Sequence, residues 1–76
     1  MPRRFSTNDV LGALARAGFR IDRQRGSHIH LTGYYDGANR TVTVVANRRI
    51  VDPKDIASIL RQSGLTRAEF ERLMGL

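Results

Sequence analysis

The chain has no cysteine, no tryptophan, only two prolines and a single lysine among its 76 residues. Without cysteine there is no disulfide to brace a small fold and no thiolate to act as nucleophile or metal ligand. No apolar run approaches the roughly 18 residues of a membrane span. Met1 to Phe19 holds no continuous apolar stretch of the kind a signal peptide needs. The expected location is therefore the cytoplasm. There are two histidines, His28 and His30, with no acidic cluster beside them. That is too few ligands for a metal site, so no metal or cofactor is expected.

What the chain has in excess is arginine. Twelve of its 13 basic residues are arginine, against seven acidic ones, which leaves a net charge of +6. Such an excess points first to nucleic acid and then to an acidic protein. The guanidinium forks onto phosphate and carboxylate alike, so the bias alone does not choose between them. A general preference for arginine codons would produce the same bias with no function attached. The length suits one domain, residues 1–76, whose thin core buries only about 60% of the unfolded surface.

Along the chain, Ser6 and Asp9 have the spacing of a helix-capping pair. Val10, Leu11, Leu14 and Ala17 recur at helical intervals before Gly18, which predicts a helix over Thr7–Ala17. Phe19 and Ile21 alternate with Arg20 and Asp22, as in a half-buried strand over Phe19–Gln24. Gly26-Ser27 is a turn, and His28–Thr32 is a second strand. Ile29 and Leu31 take its core side, leaving the histidines on the other. Gly33–Asn39 reads as a somewhat long hairpin loop around Asp36-Gly37. Arg40–Ala46, a β-branched run, is the third strand. Asp52-Pro53 opens a helix carrying Ile56, Ile59 and Leu60 that stops at Gly64. Thr66 and Glu69 cap a short last helix bearing Phe70 and Leu73. The expected fold is α+β, in the order α-β-β-β-α(-α), with both long helices on one face of a three-stranded antiparallel meander.

The segment with the clearest chemistry is Gly26-Ser27-His28, which follows Arg23-Gln24-Arg25. RNA is cleaved when its own 2′-hydroxyl attacks the adjacent phosphorus. This needs a base for the hydroxyl proton and positive charge for the phosphorane. Imidazole as a group suits the first task, and arginine the second. His28 is the candidate catalytic residue. Arg23, Arg25 and Arg40 lie on the strands nearest it in this reading, and Ser27 has a hydroxyl to offer phosphate. Gly26 gives the turn its backbone freedom and allows close approach of a ligand.

Each of these has a plainer alternative. Taken alone, His28 is an exposed strand histidine and Ser27 a turn residue. His30, about 6.6 Å along the same strand face from His28, is either a second proton-transfer group or a polar surface residue, and the second is the simpler reading. Tyr34 and Tyr35 are base-stacking groups or hairpin anchors, with at least one read as an anchor. Arg48-Arg49 is a solvated pair or a contact to the RNA backbone.

The chain also resembles a known family. Gly18-Phe19, Arg23-Gln24-x-Gly26-Ser27-His28, Asp36-Gly37, the Thr-Val-rich strand and Ile56–Leu65 together resemble the HicA toxins of toxin–antitoxin systems, over about Val10 to Phe70. The resemblance implies a fold like the double-stranded-RNA-binding domain and metal-independent cleavage of messenger RNA. It also implies catalysis by the histidine of the Gly-Ser-His motif, here His28, and silencing by a HicB-type antitoxin. Arg23, Arg25, Gly26, Ser27, His30 and Arg40 are the expected substrate-binding residues. Two departures stand out. Family members usually carry a proline and then a histidine after the third strand, where this chain has Val45, Ala46 and Asn47. Asp55-Ile56 replaces the Gly-Thr that commonly opens the closing helix. The alternatives to a ribonuclease are an RNA-binding module without cleavage and a domain whose basic face docks an acidic protein.

Overall fold

The structure is a computed structural model that describes residues 4–75. Its elements are α1 (Thr7–Arg16), β1 (Arg20–Arg25), β2 (His28–Tyr35), β3 (Ala38–Val45), α2 (Pro53–Ser63) and α3 (Arg67–Leu73). The three strands form one antiparallel sheet in the order β1-β2-β3, an α+β arrangement in the expected sequence of elements.

Local chemistry sets the helix ends. The Ser6 hydroxyl accepts from the Asp9 amide (3.1 Å) and Asp9 accepts in return from the Ser6 amide (2.9 Å), satisfying N–H groups that the first helical turn leaves without partners. Asp52 accepts from the Lys54 amide at 2.8 Å, with Pro53 at the first helical position where no N–H is needed. Gly64, at φ 80°, closes α2 in the left-handed conformation that glycine adopts without Cβ strain. Thr66 and Glu69 repeat the reciprocal cap at α3.

The second hairpin is tighter than the sequence suggests. Asp36 (φ 50°) and Gly37 (φ 81°) form a two-residue turn between Tyr35 and Ala38. Positive φ at both positions is the type I′ pattern, whose twist matches that of the flanking strands. The ladder therefore runs to its end, and all of the expected loop over Gly33–Asn39 except the Asp36-Gly37 turn becomes strand.

One face of the sheet carries Ile29, Leu31, Val42 and Val44 into the core. There they meet Val10, Ala13 and Leu14 of α1 and Ile56 and Ile59 of α2. Both long helices thus lie on the same side, as expected. β1 departs from expectation: all six of its residues are exposed, Ile21 at 60%. The helices pack principally against β3, so β1 is an edge strand beyond their reach. Only Phe19, just before it, is buried, stacked near Tyr35 with ring centroids 6.3 Å apart. Gly33 makes room for this ring, since a Cβ at that position would lie 2.8 Å from Phe19 Cδ1.

Candidate functional site

The site is built by strand register. From His28 to Thr32, each β2 residue faces one neighbour on β1 and one on β3. Arg25, His28 and Val45 form one row across the sheet, Arg23, His30 and Thr43 the next, and Arg20, Thr32 and Thr41 a third. Paired residues share a face, and all three rows lie opposite the core face. The side of the sheet away from the helices therefore presents three arginines beside two histidines.

Strict alternation along β1 does not produce this arrangement. Phe19, Ile21, Arg23 and Arg25 have the same parity, so a regular strand carrying Phe19 inward would turn both arginines toward the helices. The register shifts between Ile21 and Arg23. This bulge at Asp22 adds one residue and moves Arg23 and Arg25 to the histidine side. Arg20, which precedes the bulge, already faces that way opposite Thr32.

His28 is exposed and sits at the start of β2, directly after the Gly26-Ser27 turn. Gly26 has φ 57°, which only glycine adopts at little steric cost. Its carbonyl accepts from Gln24 Nε2 at 3.0 Å. The Ser27 carbonyl accepts from the Ala46 amide at 2.7 Å, which extends the β2–β3 ladder by one bond and pins the turn to the loop after β3. That loop carries Asn47 (φ 60°), Arg48 and Arg49. Thr7 anchors it: the buried hydroxyl donates to the Val45 carbonyl (2.7 Å) and accepts from the Arg48 amide (2.9 Å). A cleft of about 430 Å³ opens beside it, between Gln24, the start of α1 and Asn47–Arg49. His30 is half-buried, with Nδ1 3.2 Å from the Thr43 hydroxyl across the strand pair. That contact fixes its ring orientation.

Arg40 is not part of this surface. It pairs with Gly33, five positions along β3 from the residue opposite His28. Five residues correspond to about 16 Å, and an odd count places a side chain on the other face. Its Nε donates to the Tyr35 carbonyl at 2.8 Å. Its guanidinium lies under the end of α2, where a Cβ on Gly64 would come within 2.5 Å of Cζ. A cation there also complements the negative end of the helix dipole. The expectation that Arg40 joins His28 is therefore corrected. The signal was in the sequence, because Arg40 has the parity of the core residues Val42 and Val44. Arg20 and Thr43 are the open-face neighbours that sequence reasoning missed, and only the register identifies them.

The two tyrosines divide. Tyr34 is 67% exposed on the histidine face. Tyr35 faces the core side and donates its hydroxyl to Glu69 of α3 at 2.9 Å. That hydrogen bond raises the Tyr35 pKa, helped by burial and by the charges of Glu69 and Asp36. The Glu69 carboxyl is held below its ordinary range by the Thr66 backbone amide first, then by the Thr66 side chain and the Tyr35 hydroxyl. Among the described residues no group of three or more histidine, cysteine, aspartate or glutamate side chains is placed to hold a metal ion.

A family model described as HicA toxin of bacterial toxin-antitoxin matches residues 7–65. The match takes in every residue of the histidine face and both long helices, and stops short of α3. No curated protein matches the chain.

Proposed function

This chain belongs to the HicA toxin family, and from that premise we propose that it is a metal-independent endoribonuclease acting on messenger RNA through His28. A family toxin of this kind implies an antitoxin partner. The observation that carries the reading is the exposed His28 at the head of a sheet face bearing Arg20, Arg23 and Arg25.

In the proposed reaction His28 takes the proton from a ribose 2′-hydroxyl as its oxygen attacks phosphorus. The O2′–P bond forms and the P–O5′ bond breaks. The leaving 5′-oxygen takes the proton back from the His28 imidazolium, and the other product ends in a 2′,3′-cyclic phosphate. Arg25, opposite His28 at the Cα spacing of about 4.5–5.5 Å usual for antiparallel neighbours, supplies charge to the phosphorane oxygens. Arg23 supports the adjoining phosphate. The Gly26-Ser27 turn lets the RNA backbone approach closely. His30, oriented by Thr43, holds the neighbouring segment by hydrogen bonding. A HicB-like antitoxin with an acidic surface would silence the toxin by covering this face, and the protein acts in the cytoplasm, where messenger RNA is translated.

The test is cleavage of a messenger RNA in the presence of a chelator. His28→Ala is expected to lower the rate by about 10²- to 10⁴-fold, the usual worth of general acid–base catalysis, with an unchanged circular dichroism spectrum. Equal cleavage by the variant would remove His28 from the chemistry. A second reading, RNA binding without cleavage, draws on Asn47, which stands in the loop beside the turn where a histidine is usual in the family. Intact RNA after long incubation, combined with salt-sensitive binding, would favour it.

A further inference from the structure

The histidine face continues well past the residues given a role above. From His28 the same face of β2 runs through His30 and Thr32 to Tyr34, six residues or about 20 Å. At the far end is a second cleft of about 400 Å³, bordered by Arg20, Thr32, Tyr34, Asn39 and Thr41. Arg40 also borders it, with its guanidinium turned beneath α2, where Nε donates to the Tyr35 carbonyl. The cleft combines the Arg20 guanidinium, which has no ion-pair partner among the described residues, with an exposed aromatic ring, an amide and two hydroxyls. β2 and β3 contain no carboxylate at all, and Asp22, at the bulge, is the only one within the three strands.

We propose that this cleft is a nucleotide subsite for unpaired RNA, in which Tyr34 stacks on a base and Arg20 holds the adjoining phosphate. Its position relative to the scissile bond rests on the ribonuclease reading of His28. Stacking on a tyrosine needs a base whose faces are free, which a paired duplex does not offer. The polar rim of Thr32, Asn39 and Thr41 provides donors and acceptors for a base edge or a 2′-hydroxyl. At a stacked spacing of about 3.4 Å per nucleotide, the path to His28 spans about six nucleotides, fewer if the strand is stretched. The toxin therefore reads a segment of single strand at a distance from the bond it breaks, and very short oligonucleotides miss the second anchor.

The experiment measures binding of a labelled 2′-O-methyl oligonucleotide of about twelve nucleotides by fluorescence anisotropy. Blocking the 2′-oxygen prevents cleavage, so the result does not depend on catalysis. Tyr34→Ala should weaken binding by about 5- to 150-fold, the range for loss of one stacked base, and Tyr34→Phe should restore it. Arg20→Ala should flatten the log–log salt dependence by about 0.7, as one lost contact to a single-stranded phosphate requires. A blunt-ended duplex of the same length should bind without dependence on Tyr34. If Tyr34→Ala binds the single strand as the parent does, or if Phe fails to restore a loss, the subsite is wrong whatever His28 does. If Tyr34-dependent binding is seen while unmodified RNA is never cut, the subsite stands and the nuclease reading falls.

Discussion

Two arginines of similar standing in the sequence are assigned opposite roles by the fold. Arg40 donates to the Tyr35 carbonyl at 2.8 Å and packs beneath the C-terminal end of α2. A hydrogen bond from a charged donor contributes about 1.5–3 kcal/mol in protected surroundings. Arg40 is half-exposed, so solvent screening lowers this to about 1–2 kcal/mol. At about 4–8 °C per kcal/mol for a domain of this size, Arg40→Ala should lower Tm by about 5–15 °C. It should leave the salt dependence of RNA binding unchanged, because its guanidinium faces away from the arginine surface. Arg25→Ala should do the reverse. It sits on an exposed edge strand, where substitutions usually fall within about 0.5 kcal/mol, yet it should flatten the salt dependence by about 0.7. Thermal unfolding followed by circular dichroism and anisotropy titrations at several salt concentrations measure both quantities. A stable Arg40→Ala protein with a flattened salt dependence would refute the assignment of faces by strand register, and the site built on it.

The other predictions concern α3. Phe70 is fully buried and meets Phe5 edge-to-face with centroids 5.6 Å apart; Phe70→Ala should cost about 3–5 kcal/mol, a large share of a small domain's total, visible as a lower urea midpoint. The Glu69 carboxyl is held below its ordinary value of 4.5 in the folded protein, so its contribution to stability is present above that value and is lost as pH falls through the folded pKa. Glu69→Gln should remove that part of the acid loss in urea midpoints measured down the pH scale, and an unaltered acid limb would show that the ionised carboxylate, held by the Thr66 cap and the Tyr35 hydroxyl, does not stabilise the fold. Tyr35 is raised above 10.0, so its contribution is complete below 10.0 and fades as pH rises through the folded value; Tyr35→Phe should abolish that alkaline decline.

The segments outside the family match close on each other. Phe5 precedes residue 7 and α3 follows residue 65. Phe5 and Phe70 nonetheless pack together, with the Arg67 guanidinium 5.6 Å from the Phe5 ring centroid. The Val51 amide bonds to the Phe5 carbonyl at 2.7 Å, and Arg16 reaches the Leu73 carbonyl at 3.1 Å. These contacts seal the end of the core without approaching the histidine face. The short last helix and Phe70 as its buried residue could be read from the Thr66–Glu69 cap and the spacing of Phe70 and Leu73. The partner of Phe70 could not, because Phe5 is far away in the chain and no periodicity links them.

Much of the fold was decided within a few residues at a time. The caps at Ser6, Asp52 and Thr66, the left-handed Gly64 and the alternation of Ile29, Leu31, Val42 and Val44 all rest on short-range hydrogen bonds or side-chain period, so they were legible before any coordinates. The Gly-Ser-His segment was equally local. What surrounds His28 was settled by pairing between strands. The bulge at Asp22 reverses the face of Arg23 and Arg25, and pairing with Gly33 turns Arg40 away. A strand's own sequence fixes which residues share a face only while it stays regular, and where an extra residue is accommodated depends on the neighbour it must match.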